Sequence, residues 1–302
     1  GQPVGKHDAI AQKLGAMAAN TFAMDSVVEV TSRMADSGKL DIRLEAAFAK
    51  MWNTEVAWEL ANDALQVRGG RGYETYDSLK ERGETPDPVE RMVRDLRINL
   101  IFEGSSEIMR LFIVREAVDD HLRVAGDLVN PRAPTARRLA AAVKAGLFYA
   151  WWFPTRWLGW SLPPKHAGFG PLAKHMRFVD RTSRRLARNT FYAMMRFGPG
   201  LEKRQAVLGR LVDAGAELFV MAVTCVRAQE LVRETPGDRT PVELADVFCR
   251  QSRRRVRESF RNLFRNDDVA TYEAAQRLLE GKYAWLEAGV VSQAELYASG
   301  SD

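Results

Sequence analysis

Apolar residues recur at helical spacing from near the start of the chain. Ile10, Leu14, Met17, Phe22, Val27, Val30 and Met34 mark one long helix over residues 9–34, which Asp36-Ser37-Gly38 stops. Asp41 is placed to cap a second helix through Leu44, Ala47, Met51, Val56, Leu60 and Leu65, ended by Gly69-Gly70. Two long helices joined by a short turn predict an antiparallel pair. Residues 69–88 are glycine-rich, charged and closed by proline, a loop long enough to suggest function. Pro88 opens a third helix through Met92, Val93, Leu96 and Leu100 to Ile101-Phe102. Gly104-Ser105-Ser106-Glu107 breaks it and starts a fourth, reaching about Ala125.

Asn130-Pro131-Arg132-Ala133-Pro134 reads as a linker, so the expected division is 1–128 and 129–302. Beyond it, residues 136–150 are helical by composition, and Pro154, Pro163-Pro164 and the 168–171 segment interrupt an aromatic stretch. Further helices are expected near 173–196, 202–234, 241–264 and 268–288. No alternating β-branched run is long enough to argue for a sheet. The fold class expected is all-α: a four-helix up-and-down bundle followed by a second helical bundle.

Composition narrows the function classes. The chain has 302 residues, 46% apolar and 27% charged, which excludes a disordered chain. Residues 1–128 hold 16 basic against 22 acidic side chains, and residues 129–302 hold 28 against 17, so the two parts should meet different partners. Cys225 and Cys249 are the only cysteines and form no CxxC, which argues against a disulfide framework or a zinc site and for a reducing compartment; no metal is expected. The longest apolar stretch, residues 139–153, contains Lys144 and is short of the roughly 20 residues that cross a bilayer. The chain opens on Gly1 without a basic-then-apolar leader, as a processed or truncated product would.

Two features carry candidate chemistry. The Gly69-Gly70 pair either caps a helix C-terminus or lets a phosphate approach bare backbone. Glu103, between Phe102 and Gly104 and ahead of Ser105 and Ser106, is either a carboxylate at a site mouth, made basic by desolvation, or an acid favouring the positive end of the fourth helix.

The order Gln-x-x-Gly-Gly-x-Gly-Tyr (66–73), Pro-Val-Glu-Arg (88–91), Arg94-Asp95 and Ile-Phe-Glu-Gly-Ser (101–105) resembles the carboxyl-terminal helical domain of the acyl-CoA dehydrogenases, over about residues 1–122. The resemblance implies that Glu103 is the base removing the α-proton of a fatty acyl-CoA while FAD accepts the β-hydride, and that Gly104 lines the thioester pocket. It implies FAD contact for Ser105, where the family usually has Thr, and for Glu107, where a Gln is common and this chain adds a charge. Gln66, Val67, Arg68, Gly69 and Gly70 match the stretch that reaches the FAD of a neighbouring subunit, so at least a homodimer is implied. His7 fits the family's aromatic-or-His position, and Asp8 departs from the Gln beside it. Electron-transfer flavoprotein is the implied acceptor. Residues 75–87 are longer than the usual connection. The match opens at Gly1-Gln2-Pro3-Val4, resembling the segment just after the family's Arg-x-x-Phe-Gly element, so its first two domains are expected outside this chain, which alone should be inactive.

Residues 129–302 resemble the additional carboxyl-terminal bundle of the very-long-chain branch and related bacterial enzymes. Trp151, Trp152, Trp157 and Trp160 cluster there within ten residues, either as an interfacial group on an anionic membrane surface or as a seam between the bundles. Seven arginines between Arg250 and Arg265, interleaved with Phe260 and Phe264, read as a solvated face or an acidic-lipid contact; no nucleic-acid module accompanies them. The expected location is cytoplasmic with peripheral membrane contact. The rival reading is a non-catalytic helical module for oligomerisation or membrane docking.

Overall fold

The computed structural model describes residues 1–129, 133–158 and 166–289; linker positions 130–132 and Trp160, Pro163 and Pro164 lie outside them. Among the described residues every regular element is helical, as the patterning predicts. The chain divides into two compact units, Gly1–Leu263 and Phe264–Asp302.

In the first unit, α1 (Asp8–Asp36) and α2 (Arg43–Arg68) run antiparallel: Lys13 near the start of α1 meets Asp63 near the end of α2, and Asn53 reaches the Met24 carbonyl. Ile42, not the expected Asp41, holds the cap position; Asp41 lies one residue ahead of it, and its carboxylate accepts from both the amide and the guanidinium of Arg43. The glycine-rich stretch contains two short helices, α3 (Gly70–Tyr73) and α4 (Tyr76–Glu81), where a loop was expected. Gly72 lets the chain double back on α2, since a Cβ there would lie 2.5 Å from the Leu65 carbonyl oxygen. Thr75 caps α4 by accepting from the Ser78 amide, Leu79 is fully buried, and ion pairs Arg68–Asp87, Arg71–Glu84 and Arg82–Glu74 hold the excursion down.

Next come α5 (Val89–Arg97), a 3-10 turn Ile98–Leu100, and α6 (Ser106–Val129). The third helix therefore ends before Ile101-Phe102 rather than running through them. α7 (Thr135–Trp157) continues past Pro154, which sits in its last turn, where few further backbone bonds are lost. α8 (Ala173–Phe197), α9 (Gln205–Glu234) and α10 (Thr240–Arg261) complete the unit.

α9 explains why the first unit has a shared core. Most of its residues from Val207 to Ala228 are buried, including Glu217, so it is packed around most of its circumference. Val212, Ala216, Val220 and Met221 of α9 join Ala19, Ala23 and Val27 of α1, Met51 and Trp52 of α2, Ile113 of α6, and Phe248 of α10. Alanines at 19 and 23 allow close approach, and Phe248 fills the space with its ring edge-on to Trp52, centroids 5.7 Å apart. Residues before and after the linker thus share one core. Cys225 and Cys249 lie side by side in it as free thiols, sulfurs 3.7 Å apart. The second unit contains α11 (Asp268–Leu279) and a 3-10 turn Ala284–Glu287. No helix among the described residues is long and apolar enough to cross a membrane.

Candidate functional site at the turn before α6

Glu103 occupies the turn between the 3-10 end of α5 and the start of α6. Its φ is 52°, left-handed and unusual for a residue with a side chain, and Gly104 follows at φ 95°. The positive φ at Gly104 is what favours glycine; a Cβ there would also meet the Met109 sulfur at 2.7 Å and force that side chain to shift. Ile101 and Phe102 on one side and Ile108 on the other are exposed, so an apolar rim flanks the carboxylate. Glu103 itself is exposed, and the described residues do not supply the desolvation that a strong base needs.

Ser105 caps α6 by accepting from the Ile108 amide at 3.4 Å. Hydrogen bonds from its own amide and from the Ser105 hydroxyl hold the Glu107 carboxyl below its ordinary value. The added charge at Glu107 therefore completes a helix cap at the positive end of α6.

A cavity of about 420 Å³ opens beside this helix start, lined by Trp58, Arg97, Ile101, Ser105, Ser106 and Glu107 among others. The Ser106 hydroxyl and the Trp58 indole nitrogen are buried behind its wall without hydrogen-bond partners. Arg97 lies over the Trp58 ring, 4.9 Å from its centroid. In the cavity wall, Arg110 binds Glu55 and, further in, Asp213; these bonds hold its guanidinium protonated despite burial.

A larger cavity of about 490 Å³ lies among α1, α2, α9 and α10, but its charges are largely internally satisfied. Glu217, for example, receives the Trp52 indole N–H at 3.2 Å and the Arg255 guanidinium at 2.7 and 2.9 Å. Arg255 thus turns inward, and Arg253 stacks 4.7 Å from the Phe178 centroid, so the arginine-rich helix is not simply a solvated face.

The sequence-selected residues fall into three places. Ser105 and Glu107 share the cavity beside Glu103 and Gly104. Gln66, Val67, Arg68, Gly69 and Gly70 form the last turn of α2 and the turn after it, outside that cavity lining; Gln66, Gly69 and Gly70 are exposed, and the buried Arg68 Nε has no partner while its Nη1 donates to Asp87 at 2.5 Å. His7 is exposed at the start of α1, beside Gln2 at 3.2 Å. Sequence reasoning missed Lys50, Trp58, Arg97 and Arg110. Lys50 carried one signal, a lone cation on the inward side of α2 between Ala47, Met51 and Thr54. Among the described residues no group of three or more metal-ligating side chains occurs.

The aromatic segment separates into two faces. Trp152, Phe148 and Tyr149 pack with His121 and Phe191, whereas Trp151 is 74% exposed and continues a stripe of exposed Leu139, Val143 and Leu147 spaced four apart. Trp157 is also exposed, with Arg188 stacked 4.1 Å from its ring centroid.

Residues 1–118 match the family model described as acyl-CoA dehydrogenase, C-terminal domain, and residues 172–280 match that of the ACAD9/ACADV C-terminal domain. The chain is 53% identical to the probable acyl-CoA dehydrogenase FadE10 of Mycobacterium tuberculosis over 98% of its own length and 46% of that protein. It is 28% identical to the human mitochondrial very long-chain specific acyl-CoA dehydrogenase, over 85% of this chain and 38% of that one. An acyl-CoA dehydrogenase from Bacillus anthracis, solved complexed with FAD, superposes with a TM-score of 0.62 over 92% of this chain and 46% of that one, at 22% identity, a likeness of fold. The chain therefore spans about half the length or less of the relatives it matches. Two family matches in series, on a helical fold with the Glu-Gly-Ser turn at the head of α6, establish that this chain belongs to the acyl-CoA dehydrogenase family, in its very-long-chain-like branch.

Proposed function

We propose that this chain is the C-terminal portion of an FAD-dependent enzyme that introduces an α,β double bond into fatty acyl-CoA thioesters. The observation that carries the reading is the left-handed turn at Glu103, which sets an exposed carboxylate between Phe102 and Gly104 immediately before the capped start of α6. A strained turn at a reactive side chain is a common way to fix its aim.

Glu103 acts as the base that takes the α-proton, and Gly104 leaves space for the thioester. An α-proton is weakly acidic, so the base must be positioned and shielded from water. Glu103 is open in this chain, and the shielding surface comes from the acyl chain and from the part of the enzyme outside it. The thioester oxygen needs donors that strengthen as enolate charge grows, and the Glu103 backbone N–H is one such group.

The residues beside the turn fit a flavin nucleotide. Ser105, Glu107, Arg97 and the Trp58 ring line one cavity there, and at the end of α2, outside that cavity, Gly69 and Gly70 present backbone unshielded by side chains. When bound, FAD supplies the acceptor for the β-hydride. Ser105 and Glu107 hold it on their own subunit, with His7 as a further contact. Gln66, Val67, Arg68, Gly69 and Gly70 reach the FAD of a neighbouring subunit, which makes the enzyme at least a homodimer, and electron-transfer flavoprotein takes the electrons. Residues 1–128 and 129–302 are two sequence modules, and the part of the second that lies within the first compact unit shares a core with the first.

The exposed Leu139–Val143–Leu147–Trp151 stripe supports a peripheral contact with an anionic membrane surface, to which Trp157 adds. Trp152 belongs to the internal aromatic cluster and takes no part.

The test is anaerobic mixing of the whole flavin-loaded enzyme with saturated acyl-CoA thioesters of graded length. Flavin bleaching by at least one of them is expected. A flavin that stays oxidised with every thioester, or a whole protein that binds no flavin, would leave only a non-catalytic module.

A further inference from the structure

We infer that Lys50 is a positioning residue that fixes the Glu103 turn and ties it to α2, an inference that rests on Glu103 being the base. The Lys50 ammonium, half-buried on α2, donates to the Asn99 carbonyl at 2.8 Å and to the Gly104 carbonyl at 2.5 Å. These two carbonyls bracket Glu103. One cation therefore closes the whole 99–104 turn.

The backbone around the turn explains why a clamp is needed. On the upstream side, Ile101 and Phe102 donate to the Ile98 carbonyl at 3.0 and 3.1 Å; downstream, Met109 donates to the Ser105 carbonyl at 2.8 Å as α6 begins. Between those anchors come two consecutive positive-φ residues, Glu103 at 52° and Gly104 at 95°. A left-handed conformation at a residue with a side chain persists only when its surroundings over-determine it. The Lys50 bonds are charge-assisted and stronger than neutral ones. They attach the turn to a helix that is itself immobilised by buried Ala47, Met51 and Trp52.

The chemistry of the donor matters. A lysine ammonium is a compact charge whose N–H groups radiate from one atom, so it serves two carbonyls converging on one point. Arginine spreads its donors over a planar fork and reproduces that geometry poorly. The same helix ends at Arg68 and leads directly into Gly69-Gly70, so through Lys50 the base and the proposed flavin-contacting turn are referred to one rigid element.

The experiment compares Lys50→Met, Lys50→Arg and Glu103→Gln in the flavin-loaded whole enzyme. The readouts are the single-turnover rate of flavin reduction at saturating acyl-CoA, KM, flavin content, and amide hydrogen exchange over residues 98–105. A misplaced base costs up to about 100-fold, so Lys50→Met should reduce flavin about 10- to 100-fold more slowly, with KM and flavin content little changed. Exchange should rise in 98–105 and stay unchanged in α2 and α6. Lys50→Arg should fall between Lys50→Met and wild type. Wild-type reduction by Lys50→Met overturns the inference, as does a rate loss that only tracks lost flavin or general loosening of the helices. If Lys50→Met does not fold, Lys50→Arg decides: slower reduction with full flavin supports the clamp, and a wild-type rate overturns it. Glu103→Gln separates the two readings. Should it keep the wild-type rate, the base assignment fails; should it abolish reduction while Lys50→Met does not alter it, the clamp alone fails.

Discussion

Arg110 of α6 grips Glu55 of α2 with both terminal nitrogens, at 2.7 and 2.9 Å, and turns its Nε to Asp213 of α9 at 2.8 Å. Residues from both sides of the linker thus meet on one cation in the wall of the cavity at the head of α6. Arg110→Met should destabilise the protein by about 3 kcal/mol, because it leaves two partly buried carboxylates uncompensated. Urea unfolding measures this, and a loss below about 1 kcal/mol would show that the network adds little.

Phe248 of α10 is fully buried, with its ring edge-on to Trp52 of α2. Phe248→Ala removes most of a ring from a core that cannot collapse around the gap, and should cost about 3–5 kcal/mol. The same unfolding experiment checks it. If residues on the two sides of the linker share one cooperative core, probes in α2 and in α9 lose structure at the same midpoint.

His175 is completely buried and bonds Asp246 through Nε2 at 2.8 Å, while its Nδ1 has no partner. Burial pushes its pKa below the ordinary value, with Lys174 and Arg253 adding to that shift and Asp246 opposing it. A histidine with a lowered folded pKa binds protons more readily when unfolded, so stability is held above its unfolded pKa near 6.5 and is lost as pH falls. Asp246 is held below the usual carboxylate range, against burial, by Lys174, His175 and Arg250, and its contribution is lost only at more acid pH, below about 4. The thermal midpoint should therefore fall between pH 7 and pH 5, and His175→Gln should flatten that slope. An unchanged slope would remove His175 from the account.

The two faces of α7 make separable predictions. Trp151→Ala and Trp157→Ala should weaken co-flotation with anionic liposomes at low salt, with thermal stability nearly unchanged, and the binding should fade as salt rises. Trp152→Ala should do the reverse, since its ring packs on His121 and Phe191. Binding that is indifferent to Trp151 and Trp157 would exclude the membrane contact.

Much of this molecule was legible in the sequence because helices write their periodicity plainly. The 3.6-residue spacing located α1, α2 and α8 to α10 within a few residues of their ends, and Gly69 and Gly104 marked real breaks. What sequence could not show was contact between distant helices. Nothing local reveals that Arg255 turns inward to Glu217, that Trp151 is exposed while its neighbour Trp152 packs inward, or that Lys50 reaches a turn some fifty residues later. Short helices α3 and α4 escaped notice because four to six residues carry too little periodic signal, and Pro154 misled because proline in a last helical turn breaks almost nothing.

The most direct test of the central claim is the rate at which saturating acyl-CoA bleaches the flavin of the whole enzyme carrying Glu103→Gln, measured anaerobically. The substitution keeps the side chain's shape and removes its basicity, so the loss belongs to the chemical step. The account predicts a fall of at least about 100-fold, with FAD still bound, in line with the contribution of a general base. Retention of more than about a hundredth of the wild-type rate would contradict it.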